Sequence, residues 1–339
     1  MNGMKDIFAL LKKGSIASLT AAIVNLMIAG LKGAAFLFTA NVAMFAEMMH
    51  SLGDAINQFF VFIGSSLSKK APTKRFPFGF GRLVNLVVLF AIVVVAILSY
   101  ETVKEGIHHI VEPLPTETDT AMLLINIGVL AVAASLEGFV LYKAGKELLQ
   151  HAEQPYDGIK PLTLSYRYMN RAKPATKLVF LEDTVATSGA LLAIIAILIG
   201  RFTGFAQSEG IASVIIGLMM FFIVYKVFME NAAGVLGESD PHMEQRISQI
   251  VLRHDEITDI QKLFVLKEGD DLHVEIVAET DPDITVEHAN EIRDEIEALI
   301  LEQNHVVDVN TEFEVDDGRR TWPKTVKEMD RKTKNNKKH

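Results

Sequence analysis

The chain has 339 residues, of which 50% are apolar, and a formal net charge of −9. Its mean hydropathy is +0.26, which is high for a water-soluble protein of this length and points to a membrane unit with an appendage. It has no cysteine, which excludes disulfides, thiolate metal sites and thiol nucleophiles.

Charge divides the chain into regimes. Up to residue 235 the charges fall mainly between apolar runs; 236–318 is acidic, and the tail from Arg319 is basic. The expected organisation is an N-terminal segment 1–14, a membrane domain 15–235, a soluble domain 236–318 and a disordered basic tail 319–339. The first residues, MNGMKDIFALLKKGS, have no apolar stretch followed by a small-residue cleavage site, so no cleaved signal peptide is expected.

A bilayer core about 30 Å thick needs about 20 helical residues to cross it. Six runs reach that length: 15–37, 41–66, 83–103, 118–142, 178–200 and 211–231. Helices are expected because a spanning chain must satisfy its own backbone hydrogen bonds. Lys5, Lys12 and Lys13 precede the first run, Lys69, Lys70, Lys74, Arg75 and Arg82 follow the second, and a further basic group from Lys143 to Lys177 follows the fourth. The intervening stretches FTANV and EGIHHIVEPLPTETD carry no Lys or Arg and the fifth connection only Arg201, so both termini are expected on the cytoplasmic side. The expected membrane is a bacterial inner membrane, or an organellar one in a eukaryote.

Beyond the sixth run the periodicity changes. EQRISQIVLRHD and ITVEHANEIRDEIEALILEQN repeat as amphipathic helices, the second with Ile292, Ile296, Leu299 and Ile300 inward. Between them, ITDIQKLFVLKEGDDLHVEIVAETD predicts two strands joined by a turn at Gly269, and HVVDVNTEFEV a third. The order αββαβ predicts an α+β domain with helices on one face of a three-stranded sheet.

The second run, AMFAEMMHSLGDAINQFFVFIG, carries Glu47, His50 and Asp54. Spacings of three and four put them on one helical face. Ionisable groups cost about 2.5–3.5 kcal/mol at a bilayer centre on insertion scales, so they face a bundle interior or an aqueous path. The fifth run adds Glu182 and Asp183, the first Lys32 and the fourth Glu137. One imidazole with several carboxylates suits Zn²⁺, with Mn²⁺, Fe²⁺ and Co²⁺ chemically open. The alternative is interhelical glue, His50 and Asp54 bonding to each other and to Lys32. No His-Glu-x-x-His string occurs, so an intramembrane metalloenzyme is not expected.

These segments resemble the cation diffusion facilitator family. NVAMFAEMMHSLGDAINQ is similar to its second span, PFGFGR at 77–82 to the signature opening its third, EGIHHIVEP to the exit from that span, and EGIASVIIGLMMFFIVYKVFMENAAGVLGESDP to its sixth span and the passage beyond. FLEDTVATSG resembles the zinc transporter nine branch, with an adjacent Glu-Asp pair. The resemblance implies an α-helical membrane protein of six transmembrane helices with a cytoplasmic α+β ferredoxin-like (αββαβ) domain that dimerises. It implies a divalent metal/proton antiporter, not an enzyme, exporting Zn²⁺ or else Mn²⁺, Fe²⁺ or Co²⁺, with protons as counter-ion. A non-transporting metal sensor or scaffold is the competing reading.

The implied ligands are His50, Asp54 and Asp183, with Glu182 as a further candidate. Val179 departs from the family pattern, since it stands four residues before Asp183 where most members carry a ligand. The loop KKAPTKRFPFGFG has no histidine, so no metal is expected there. In the soluble domain His273, Glu312 and Glu314 are candidate ligands, or else ordinary surface groups. The expected partners are a membrane, a second copy of the chain and divalent metal ions, with no nucleic acid.

Overall fold

A computed structural model describes residues 14–113, 119–152, 154–169, 174–269 and 271–322. Lys5, Lys12, Lys13, Arg171, Lys173 and the tail beyond residue 322 lie outside the described residues.

Six long helices occupy the apolar runs: α1 (Ile16–Thr39), α2 (Val42–Ser68), α3 (Leu83–Val111), α4 (Thr120–His151), α7 (Pro174–Thr203) and α8 (Gln207–Leu236), with short α5 (Lys160–Thr163) and α6 (Ser165–Tyr168) between α4 and α7. Polar side chains set the starts. Ser15 accepts from Ser18 N at 3.2 Å and Asn41 accepts from Met44 N at 3.0 Å, each satisfying an amide that the first turn leaves unpaired. Ala40, at φ 50°, ends α1, and α2 follows within two residues.

Five of these helices (α1, α3, α4, α7 and α8) are long and apolar enough to cross a membrane. Helix α2 matches them in length, but its polar stripe lowers its mean hydropathy. The fourth connection, expected over 143–177, is shorter in the structure: α4 continues through Lys143, Lys146 and Glu147 to His151, and α7 begins at Pro174. The flanking polar residues are good helix formers, so the helices outlast the apolar stretch that marks them.

The contacts divide the chain into two units, one of Met1–Lys70 with Val84–Ala232 and one of Ala71–Leu83 with Ala233–His339. In the helical unit, buried small residues such as Ala43, Ala46, Ala193 and Ala212 pack with Met44, Leu130, Ile216 and Met220. Helices α3 and α8 meet through glycines. A Cβ on Gly106 would fall 2.8 Å from Gly210 O, and one on Gly210 would fall 2.7 Å from Gly106 O. Ser213 Oγ donates to Thr102 O across the same contact at 3.0 Å.

The second unit contains α9 (Pro241–Val251), β1 (Asp259–Glu268), β2 (Asp271–Thr280), α10 (Val286–Leu301) and β3 (Val306–Val315). The sheet order is β1-β2-β3, with β1 and β2 antiparallel and β2 and β3 parallel. Even-numbered β2 residues from Leu272 to Ala278 alternate into a core with Ile247, Val251, Ile292, Ile296 and Ile300. Leu299, expected inward, is half exposed, because it sits at the edge of the stripe that 292, 296 and 300 define. The expected turn glycine, Gly269, takes φ 67°. Segment 71–83 packs into this unit: Phe78 meets the His273 ring edge-on with centroids 6.0 Å apart, and a Cβ on Gly81 would run into the Glu268 backbone.

Candidate metal centre within the helical unit

Helix α2 carries its polar groups at helical spacing, so Glu47, His50, Ser51 and Asp54 share one side. His50 is 4% exposed, and its Nε2 lies 3.4 Å from Asp54 Oδ2, a loose contact without hydrogen-bond alignment. Asp183, on α7, is within electrostatic range of Asp54, Glu137 and His50. Its Oδ2 is buried without a hydrogen-bond partner, and so is His50 Nε2. Two buried lone-pair donors on different helices are therefore unused, in a protein interior where such atoms are almost always paired.

Glu182 takes a different position. Its Oε1 accepts a long hydrogen bond, 3.5 Å, from Asn57 Nδ2, one turn beyond Asp54 on α2. Asp54 and Asp183 are its electrostatic neighbours. Glu182 and Asp183 stand well inside the continuous helix Pro174–Thr203, where consecutive side chains diverge by about 100°. A regular helix does not direct both at one ion, so Asn57 is the partner of Glu182 that sequence spacing does not reveal. Val179 is 44% exposed and contributes no donor.

Lys32 does not join His50 and Asp54, as the interhelical-glue alternative would have it. Its Nζ donates to Glu47 Oε2 at 2.7 Å, Ser51 Oγ at 3.0 Å and Glu137 Oε1 at 3.1 Å, tying α1, α2 and α4 together. Both Lys32 and Glu47 are completely buried. Gly189 on α7 leaves room for this pair, since a Cβ there would fall 2.5 Å from Glu47 Oε1.

In the second unit, His273 lies between Glu268 (3.4 Å) and Asp308 (3.5 Å). Glu312 and Glu314 do not converge on it. His273 registers with Asp308, while Glu312 and Glu314 register with Val277 and Glu279. Four residues along a strand is about 13 Å, too far for His273 and Glu312 to share an ion.

A bundle of apolar helices with buried polar groups, joined to a small α+β domain, defines a multi-pass integral membrane protein. The cation efflux transmembrane domain family matches residues 18–235, and the cation efflux protein cytoplasmic domain family matches 240–315. The chain thus belongs to the cation efflux, or cation diffusion facilitator, family. It is similar to the human mitochondrial proton-coupled zinc antiporter SLC30A9, 26% identical over 219 residues covering 64% of this chain and 37% of that protein. Metal tolerance protein C4 of Arabidopsis thaliana is 24% identical over 249 residues, 71% of this chain and 51% of that protein. An uncharacterized transporter of Methanocaldococcus jannaschii is 20% identical over 254 residues, 75% of this chain and 81% of that one. The match thus spans little more than a third of the human antiporter's length.

Proposed function

We propose that this chain is a divalent metal/proton antiporter that exports Zn²⁺ from the cytoplasm, with His50 and Asp54 on α2 and Asp183 on α7 as the ligands of the transported ion. One observation carries the reading: His50 Nε2 and Asp183 Oδ2 are buried without hydrogen-bond partners, on two helices that share Asp54 as a neighbour. An imidazole nitrogen with two carboxylates matches the donor types of zinc, and water fills a fourth position. Glu182 contributes from beside the site through Asn57 and Asp54.

Metal ligands must give up protons to bind, so metal and protons compete for these groups. Facing the cytoplasm, the ion displaces protons; facing away, protons displace the ion. Their exchange couples export to proton entry, with rocking of helices as the alternating motion. Membership of the family and likeness to proton-coupled zinc antiporters support zinc and protons as the pair. Mn²⁺, Fe²⁺ and Co²⁺ fit the same donors less selectively.

The same reading makes α2 a sixth span, its polar stripe turned from lipid, and the second unit a ferredoxin-like cytoplasmic domain through which two copies associate. Basic residues at Lys69, Lys70, Lys74 and Arg75 support cytoplasmic termini, in a bacterial inner membrane or an organellar one. Nothing in this function requires bond-making chemistry or a nucleic-acid partner.

Zinc flux into dye-loaded proteoliposomes, with and without a proton gradient, tests the assignment. Flux is expected for the parent and lost for Asp54→Ala. Equal flux in both would remove Asp54 from the site, and none in a folded parent would favour a sensor.

A further inference from the structure

At the far end of the sheet from His273 is a cluster of acidic groups that the transport site does not use. Asp259, Glu279 and Glu314 are direct neighbours across β1, β2 and β3 in the strand register. Like charges directly opposite one another destabilise a sheet, so three on one rung call for a compensating cation. Glu279 has the opposite parity to the core-facing residues Leu272, Val274, Ile276 and Ala278, so it projects from the other face. Even so, it is only 1% exposed.

The turn after β3 adds two more carboxylates. Asp316 N donates to Thr280 O at 3.0 Å, which brings the turn to the end of β2. Asp259 accepts the amides of Thr321 and Trp322, closing the segment back onto β1. Oδ1 of Asp316 and of Asp317 accept from Gly318 N and Arg319 N at 2.8 and 2.7 Å. Glu279, Asp316 and Asp317 each offer an oxygen within 4.8 Å of the others. Oxygens on opposite sides of a Ca²⁺ ion stand about 5 Å apart, so the spacing is that of a coordination sphere.

An independent observation points to a ligand. Glu279 Oε2 is buried with no hydrogen-bond partner. Among the described residues, the charged groups that act most on Glu279 are acidic: Asp317, Asp259, Asp316 and Glu314. Burial, reinforced by these carboxylates, pushes the Glu279 carboxyl above its ordinary range. A buried carboxylate set among other carboxylates is expensive unless protonated or bound to a cation.

We propose that Glu279, Asp316 and Asp317 bind a hard divalent cation of the Ca²⁺, Mg²⁺ or Mn²⁺ type, which staples the turn after β3 to the end of β2. The donors are all oxygen, with no histidine, which favours these ions over zinc. His273 and Glu312 take no part. Three carboxylates and several waters place half-saturation in the range of about 0.1–1 mM.

The chain reports on its own site, because Trp322 is its single tryptophan and its amide bonds to Asp259 at the end of this turn. Trp322 emission is followed in the full-length protein in detergent, freed of metal by chelation, as Ca²⁺, Mg²⁺, Mn²⁺ or Zn²⁺ is added at constant ionic strength. A saturable change is expected with at least one of the first three, stronger than with Zn²⁺. Asp316→Asn with Asp317→Asn, and separately Glu279→Gln, should shift the midpoint at least about tenfold. Asp54→Ala should leave the titration unaltered, so this result and the zinc-flux result stand or fall independently. The proposal is overturned by no saturable response in the parent, by the parent's midpoint persisting in the Asn and Gln variants, by tighter zinc binding, or by loss of the response in Asp54→Ala.

Discussion

Lys32 Nζ and Glu47 Oε2 are 2.7 Å apart, and neither side chain reaches solvent. Such a pair repays the cost of desolvation only while both members are present. Replacing Lys32 with Ala leaves Glu47 and Glu137 facing each other in the helical interior, and should cost about 3–5 kcal/mol. Glu137→Gln keeps the Lys32–Glu47 pair and should cost roughly 1–3 kcal/mol. Thermal unfolding of the two variants in one detergent gives the order, and a Glu137→Gln loss as large as that of Lys32→Ala would contradict it.

Asp183 and Glu182 are adjacent in sequence but not equivalent in place. Asp183 Oδ2 is a buried orphan, while Glu182 Oε1 already receives Asn57. Asp183→Asn should weaken zinc binding by at least about tenfold, and Glu182→Gln by less. Calorimetric zinc titration of the two variants measures the difference. Val179→Ala, at an exposed position without donors, should titrate like the parent.

His288 gives the second unit a pH dependence. Its Nδ1 lies 2.9 Å from Glu291 Oε2 and its Nε2 2.7 Å from Glu256 Oε1. The bond to Glu291, then that to Glu256, raises its pKa above the ordinary histidine value. A raised folded-state pKa means the folded form holds the proton more tightly. The stability it adds is fully present below about 6.5 and disappears as pH rises through the folded-state value. His288→Gln should lower the melting temperature at pH 6 and leave it unaltered at pH 9. An equal loss at both would show that packing, not charge, is responsible.

Gly106 and Gly210 bring the backbones of α3 and α8 together with no space for a side chain. Gly210→Val should force the helices apart and cost about 1–3 kcal/mol. Gly128→Val on α4, where a Cβ meets nothing within 4 Å, should be tolerated. Melting temperatures of the two variants compare a packed glycine with an open one.

Much of this architecture was legible beforehand. Apolar length marked six helices, and period-two alternation at Leu272, Val274 and Ile276 marked β2, because burial selects those residues whatever the details of packing. His50 and Asp54 were legible for the same reason, as polar residues where lipid tolerates few. The partner of Lys32 was not. Carboxylates at 47, 54, 137, 182 and 183 were all available to it, and the choice depends on how four helices are rotated against one another. The acidic rung was hidden in the same way: Asp259, Glu279 and Glu314 become neighbours only once strand register is known.

The division of the chain has a consequence for how its sequence is ordered. Segment 71–83 belongs to the unit that also contains 233–339, so the backbone passes between the two units three times, near residues 70, 83 and 232. The second unit is therefore assembled from two stretches separated by about 150 residues of the helical unit, and the shorter stretch is the direct continuation of α2, the helix that carries His50 and Asp54.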